Sequence, residues 1–308
     1  MEIKIVINKQ NKREVLSLID QLVEWEAKGI EKEVTRKFAE SHVSELPKVS
    51  TFTKADPTKH IPSVETMEFA EPIIKKAEFG AWGMFNSFAP GKVALRILIN
   101  LIDDQKEGFV KFSHLVDACI TEFSRSGLYR YRGFPKKTSE SARSRLAMHL
   151  IMPYNDMGLI RVYHEEKDPR ILITKDGFHF SKLHNPLLNS GDKSKYLSEE
   201  ESTWLICHLK KIEGQGYKEF SMLRNLAKFL AKSDVNFHDI ANWFRNNKDF
   251  EEWLKVGSRY RDNPKAFSRQ LENVARTFAS GKIALLRELG IVTDTRATYR
   301  VLRNLEET

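Results

Sequence analysis

Between residues 91 and 184 the apolar periodicity changes from helical to strand-like spacing and back, and this order constrains the fold more than any other feature. Val93, Leu98 and Ile102 lie on one face of a predicted helix, and Gly108 then begins a short alternating segment through Phe112. A second helical pattern follows, with an apolar face that comprises Leu115, Val116, Cys119 and Ile120. The segment is therefore predicted to begin as helix, strand and helix.

The pattern continues with a third helix and two strands. Thr138 or Ser139 is predicted to begin the third helix, Pro153 to end it, and Ser113 to cap the second helix. The apolar face of the third helix comprises Ala142, Leu146 and Leu150. Two short apolar runs, 159–163 and 170–174, are joined by a polar turn and indicate strands. A last short helix is predicted to begin at Lys175.

The predicted order of helix, strand, helix, helix, strand and strand resembles that of the winged helix-turn-helix fold. The resemblance rests on Gly158-Leu159-Ile160, where a helix ends and the wing begins, and on residues 171–177 (ILITKDG), where the return strand enters the last helix. It implies a DNA-binding module whose third helix lies in the major groove, where the base edges can be distinguished.

The whole chain of 308 residues is predicted to be mainly α with small β wings, in several modules. Residues 1–90 should form an N-terminal strand and helix followed by an irregular arm, because five prolines interrupt 44–90. The winged helix-turn-helix domain spans 91–184, and a polar linker spans 185–196. Ser198 and Glu201 then form a capping box that begins a helical domain, 197–308, with a C-terminal hairpin. A second winged helix is an alternative interpretation of that domain.

Positive charge is concentrated around the predicted third helix. The chain has a net charge of +8. Residues 125–145 include seven basic residues and only one acidic residue, Glu140. The predicted DNA contacts here are Arg130, Arg132, Lys136, Lys137, Ser141, Arg143, Ser144 and Arg145. Ser141, Ser144 and Arg145 are the candidates for base contacts, and the two lysines precede the helix where a phosphate could bind. The alternative is a solvated charged face.

A second basic set lies in the C-terminal domain. Its predicted DNA contacts are Lys265, Arg269 and Arg276, and the same pattern continues through Lys282, Arg296, Arg300 and Arg303. This set could clamp an adjoining stretch of duplex or could be ordinary solvated charge. The acidic wing turn, with Glu165, Glu166 and Asp168, disfavours a contact between the wing and phosphates.

No catalytic residue, metal site or cofactor is predicted. Glu165-Glu166-Lys167 matches the letters of a nuclease Glu-x-Lys fragment but falls in the wing turn, and no phosphate-binding glycine loop occurs. The two cysteines, Cys119 and Cys207, are predicted to be buried thiols. The absence of a signal peptide or long apolar run predicts a cytoplasmic protein without a membrane partner.

The layout of residues 90–308 resembles the DNA-recognition portion of type IIS restriction and nicking endonucleases. That resemblance implies sequence-specific binding of double-stranded DNA, with cleavage in a separate nuclease domain, so the chain is either a recognition module or a stand-alone DNA-binding protein. Two alternatives remain open. One is a winged-helix subunit that docks proteins in a chromosome-organising or transcription complex, and the other is a metal-dependent nuclease.

Overall fold

The computed structural model describes residues 68–81, 83, 85–105, 108–126, 151–164, 167–190, 197–232, 235–295, 298–303 and 305. All of them belong to one compact unit, Ser50–Thr308. This part of the chain is mainly helical with small antiparallel sheets, as predicted. The predictions for residues 1–67, for the third helix before Ile151, and for 191–196 lie outside the described residues.

The first half of the described chain alternates short strands with helices. Its elements are α1 (Ala89–Gln105), β1 (Val110–Lys111), α2 (Phe112–Ser126), α3 (Met152–Asp156), β2 (Ile160–Tyr163), β3 (Arg170–Ile173) and α4 (Lys175–Lys182). The predicted apolar faces of α1 and α2 are buried, with Leu98 and Val116 each 1% exposed. Burial of these faces accounts for the helical spacing in the sequence.

The three strands form one antiparallel sheet in the order β1-β3-β2. Val110 lies opposite Ile171, and Ile160 lies opposite Ile173. These four side chains are buried, and the residues between them are only partly covered. One face of the sheet therefore packs on α1 and the core, and the other faces outward.

Two predicted helix boundaries are wrong. Pro153 lies in the first turn of α3, where its missing N–H costs no hydrogen bond, and the helix ends at Asp156 before Gly158, which has φ of 73°. Ser113 lies inside α2, which begins at Phe112. The acceptor at that helix end is Asp168, between β2 and β3, which accepts hydrogen bonds from the Ser113 amide (3.1 Å) and hydroxyl (2.6 Å).

The second half is a helical layer closed by a hairpin. Its elements are α5 (Pro186–Ser190), α6 (Glu199–Glu213), α7 (Glu219–Leu230), α8 (Phe237–Arg245), α9 (Lys248–Gly257), α10 (Pro264–Glu288), β4 (Val292–Thr295) and β5 (Thr298–Val301). The capping box of Ser198 and Glu201 is confirmed, with both reciprocal hydrogen bonds formed. The predicted C-terminal hairpin is also confirmed, with β4 and β5 antiparallel.

One hydrophobic core runs through both halves. The irregular segment 68–88 contributes Phe79, Phe85 and Phe88 to that core, and it pairs with the first half at Ala70 and with the second half at Ala77. The helical layer adds an aromatic cluster in which Phe250 and Phe278 meet edge to face, with ring centroids 5.0 Å apart. Such close packing holds the two halves in a fixed arrangement.

The two cysteines differ in exposure. Cys119 is buried, and burial raises the pKa of its thiol, whereas Cys207 is exposed. The prediction that Cys207 is buried is wrong, because Leu205, Ile206 and Leu209 already occupy the inward face of α6. Position 207 points about 100° away from position 206 and outside that face.

Candidate nucleic-acid interface

Most of the predicted DNA contacts fall on a segment about which the structure gives no geometry. Arg130, Arg132, Lys136, Lys137, Ser141, Arg143, Ser144 and Arg145 lie outside the described residues. The described chain ends before this segment with α2 and resumes after it at Ile151, immediately before α3.

Helix α3, which follows the basic residues 125–145 in the sequence, is held against the start of α1. The Tyr154 hydroxyl donates a hydrogen bond to the Phe88 carbonyl oxygen. The Tyr154 ring also lies against Gly91, where an added Cβ would come within 1.8 Å of a ring carbon. A side chain at position 91 would therefore have to displace the Tyr154 ring, which packs α3 against the start of α1.

The connection between β2 and β3 is joined to α2 by one of its acidic residues, Asp168. Because both carboxylate oxygens of Asp168 accept hydrogen bonds from Ser113, this carboxylate is engaged within the protein. Glu165 and Glu166 lie outside the described residues. The repulsion expected between Asp168 and a phosphate is thus weaker than the sequence indicates, since a hydrogen-bonded carboxylate beside a helix start is partly neutralised.

The outward face of the β1-β3-β2 sheet combines cations with aromatic rings. The Arg170 guanidinium lies 5.4 Å from the centroid of the Phe109 ring, and the Lys111 ammonium lies 5.7 Å from the same ring. Arg161 lies 5.4 Å from the Tyr163 ring. Cation–π contacts of this kind hold these three cations against aromatic rings on the outward face of the sheet.

The second predicted set lies on the outer face of α10. Lys265, Arg269 and Arg276 are exposed, and Arg276 forms an ion pair with Glu272 at 2.8 Å. Arg300 is exposed on β5, Arg303 is partly exposed, and Arg296 lies outside the described residues. The three predicted contacts on α10 are therefore available to a ligand, with Arg276 partly neutralised.

Lys282 does not belong to this exposed set, contrary to the prediction. Its side chain is 0% exposed, and its ammonium group donates hydrogen bonds to Glu219 (2.7 and 2.8 Å) and to the Ala81 carbonyl oxygen (2.7 Å). Burial lowers the pKa of Lys282, and the Glu219 carboxylate opposes that shift. The helical spacing places Lys282 on the inward face of α10, where a buried partner compensates its charge.

Sequence reasoning missed Lys255, Arg259 and Arg261, which lie between the predicted helices. Together with Lys265 and Arg269 they form an exposed set around the turn from α9 to α10, which we name the basic ridge. The missed residues have no helical or strand periodicity that would assign them to a face. The available signal was compositional: residues 255–269 contain five cations and a single acidic residue, Asp262.

A second ion pair, also fully buried, joins the two halves of the molecule. Lys92 on α1 forms an ion pair with Glu201 on α6, and both side chains are 0% exposed. The Lys92 ammonium also donates to the carbonyl oxygens of Phe180 and Leu183, each at 2.7 Å. Burial lowers the pKa of Lys92 to about 8, against the opposing effect of Glu201.

Arg96, one helical turn after Lys92, contacts the same region. Its guanidinium donates to the carbonyl oxygens of Ser181 and Leu183 at 3.0 Å and to the Asn189 side chain at 2.9 Å. Lys92 and Arg96 therefore stabilise the carbonyl end of α4, where positive charge is favourable. Both cations are occupied within the protein and cannot serve as DNA contacts.

Glu288 stabilises the beginning of α1. Its carboxylate accepts hydrogen bonds from the Phe88 amide (2.5 Å), the Ala89 amide (2.9 Å) and the Ser87 hydroxyl (2.7 Å). Burial raises the pKa of Glu288 to about 7, although these hydrogen bonds favour the charged form. The last turn of α10 is thereby joined to the first turn of α1.

The side chain of His208 on α6 is buried and makes its contacts within the protein. Its Nε2 lies 2.9 Å from the Met157 carbonyl oxygen, its Nδ1 lies 3.6 Å from Asp176, and its ring stacks on Trp204 with centroids 4.9 Å apart. Burial lowers the pKa of His208, so the ring is neutral near pH 7. These contacts join α6 to the turn before β2.

Among the described residues, no group of three or more His, Cys, Asp or Glu side chains is placed to hold a metal ion. No helix in this same part of the chain combines the length and apolar character needed to cross a membrane. No protein-family model, curated protein or solved structure matches the chain.

Proposed function

We propose that this chain binds double-stranded DNA through a winged helix-turn-helix unit formed by residues 91–184. The observation that carries the proposal is the connectivity of the first half: helix, strand, helix, a basic segment, and two strands that close an antiparallel sheet in the order β1-β3-β2. In the winged helix-turn-helix fold, the position between α2 and β2 belongs to the groove-binding helix.

The charge of that segment supports the same function. Residues 125–145 contain seven basic residues and one acidic residue, and they fall where the groove-binding helix is expected. In this proposal Arg145, Ser141 and Ser144 contact base edges, and Lys136 and Lys137 contact a phosphate. The cationic outer face of the sheet and the exposed cations of α10 would contact the backbone on either side.

The biological setting that we propose is that of a recognition module of a restriction-type endonuclease or of a stand-alone DNA-binding protein. In both cases the unit should prefer one sequence. Selection of bound sequences from random duplex DNA, followed by footprinting, tests this. We expect one protected site of about 10–20 base pairs that survives competitor DNA. Equal binding to every sequence would contradict the specific part of the proposal.

The Arg143→Glu/Arg145→Glu double variant tests the assignment of the binding helix. We expect at least a 100-fold loss of affinity for the selected site, because two contacts are lost and two repulsive charges are introduced. The matched control is Lys232→Glu/Lys248→Glu, which changes the net charge equally at two exposed lysines of the helical layer. If both double variants bind the site equally, the helix is not the contact.

The double variant and the unmodified protein also distinguish the two alternative functions, protein docking and DNA cleavage. Retained biological activity in the Arg143→Glu/Arg145→Glu variant would favour a protein-docking role for the winged unit. Cleavage of DNA in the presence of magnesium, abolished by a chelator, would instead favour a nuclease.

A further inference from the structure

We infer that the basic ridge is a second contact for the phosphate backbone of duplex DNA, separate from the groove-binding helix and indifferent to sequence. This inference rests on the proposed function, because it concerns the same ligand. The basic ridge comprises the last turn of α9, the turn that follows it and the first turns of α10, with Lys255, Arg259, Arg261, Lys265 and Arg269 as its cations.

The cations of the basic ridge are exposed and nearly free of internal partners. Within the described residues, Arg261 is the one ridge cation with an ion pair, to Asp262 at 3.4 Å. That pair is 64% and 90% exposed, so solvent screens it and it holds Arg261 only weakly. Most of the positive charge is therefore available to an anionic ligand.

The backbone of the basic ridge is fixed before any ligand binds. The Ser258 hydroxyl, which is buried, donates to the Gln270 side chain and accepts from the Tyr260 amide at 3.0 Å. The Asn263 side chain caps α10 by accepting from the Ala266 amide at 3.1 Å. A preorganised turn loses little conformational entropy on binding, which favours its use as a contact surface.

The spacing of the ridge cations suits the phosphate backbone of DNA, which carries negative charge at regular intervals. Lys265 and Arg269 lie one turn apart on α10, about 6 Å along its axis, and both face outward. Arg259 and Arg261 extend the same charge into the turn before the helix. The basic ridge thus presents several exposed positive charges close together in the sequence, which suits a polyphosphate ligand.

The apolar and aromatic residues at the basic ridge favour duplex DNA over a lipid surface or a single strand. Val256, 84% exposed, is the one large exposed apolar side chain between Lys255 and Arg269, whereas Phe250, Leu254 and Phe267 are buried. A membrane-binding helix needs an apolar face. The Tyr260 ring lies 4.7 Å from the Arg259 guanidinium, so it does not offer the open series of aromatic rings on which single-stranded bases stack.

The test is the salt dependence of binding for the full chain and for Arg259→Ala/Lys265→Ala/Arg269→Ala. Affinities are measured between 50 and 300 mM salt for a selected site and for a mixed-sequence duplex of about 40 base pairs. Three lost phosphate contacts should make the log–log slope less steep by about 2 to 3. The affinity for both duplexes should fall by the same factor, because backbone contacts carry no sequence information.

Lys210→Ala/Lys232→Ala/Lys248→Ala is the control, since it removes three exposed lysines outside the basic ridge. Thermal unfolding of both triple variants checks that each is folded. If the ridge variant and the control have the slope of the unmodified chain, the inference is overturned while the proposed function stands. If the unmodified chain binds neither duplex, the proposed function fails.

Stronger binding of the chain to vesicles containing 30% phosphatidylserine than to DNA, lost in the ridge variant, would assign the ridge to lipid and overturn the inference.

Discussion

At the scale of single residues, the described part of the chain buries three cations, Lys92, Arg96 and Lys282, and these differ in role from the cations on its surface. Lys92 and Lys282 are fully buried, and each is paired with a glutamate on another helix. A buried ion pair adds little net stability, but removal of one partner leaves an uncompensated charge. Loss of either lysine should therefore destabilise the fold, and neither is available to DNA.

The Lys92→Met variant should lower the free energy of unfolding by about 3–5 kcal/mol, because Glu201 would remain buried without its cation. Urea denaturation measures this change. Lys175→Met, at an exposed lysine on α4, is the control and should stay within about 0.5 kcal/mol of the unmodified protein. A Lys92→Met variant as stable as this control would show that the ion pair is not formed.

Glu288 should make stability depend on pH near neutrality. Its folded-state pKa of about 7 lies above the ordinary value of 4.5, so the folded state holds a proton that the unfolded state has released. This contribution is fully present below pH 4.5 and is lost as pH rises through 7. The loss should amount to about 1–3 kcal/mol.

The Glu288→Gln variant removes the titrating group while keeping an acceptor for the Phe88 and Ala89 amides. The difference in unfolding free energy between Glu288→Gln and the unmodified protein should change between pH 5 and pH 8. Chemical denaturation at several pH values measures this difference. A constant difference across that range would mean that Glu288 does not titrate there.

At the scale of elements, α4 approaches the residue before β2, Leu159, at a distance that only glycine allows at position 177. An added Cβ at Gly177 would lie 1.8 Å from the Leu159 carbonyl oxygen, which belongs to the backbone and cannot move aside. We expect Gly177→Ala to lower the free energy of unfolding by about 3 kcal/mol or more. The unfolding transition in urea is the measurement.

Gly214→Ala is the matched control for that variant. Gly214 has φ of −60°, and an added Cβ there would meet the Lys211 carbonyl oxygen at 3.9 Å, an ordinary contact. This control should be neutral or more stable by about 0.5 kcal/mol. Equal stability of the two alanine variants would contradict the close approach of α4 and the residue before β2.

The sequence predicted elements whose signals are local and missed what depends on distant partners. Val93, Leu98 and Ile102 repeat at helical spacing, and the capping box of Ser198 and Glu201 closes within three residues, so both predictions were confirmed. Lys282 was assigned to the surface because its partner, Glu219, lies 63 residues away. The burial of Lys92 had a local signal: it is a cation in an apolar helix, one turn before Arg96.

Less of the candidate site than of the fold could be predicted from the sequence. Lys265 and Arg269 are exposed as the helical spacing predicts, and Arg276 is exposed with an acidic neighbour at Glu272. Arg259 and Arg261 were missed, because a turn has no periodicity that separates an inner from an outer side. The exposure of a turn residue depends on tertiary hydrogen bonds, here those of Ser258.

At the scale of the whole molecule, the two halves of the described chain share one core. The Lys92–Glu201 ion pair and the shared core join them, and the irregular segment 68–88 pairs with both. In the proposed function, residues 91–184 and the basic ridge therefore contact one duplex together. A duplex that contacts both should show a longer footprint than one winged unit alone produces.

The salt dependence of duplex binding tests the central claim most directly. Affinities for a selected site between 50 and 300 mM salt should give a log–log slope of about −4 to −5 for the roughly five phosphates neutralised by the winged unit, and a steeper slope where the basic ridge also binds. A slope near zero, or no binding to duplex DNA at 50 mM salt, would contradict the account.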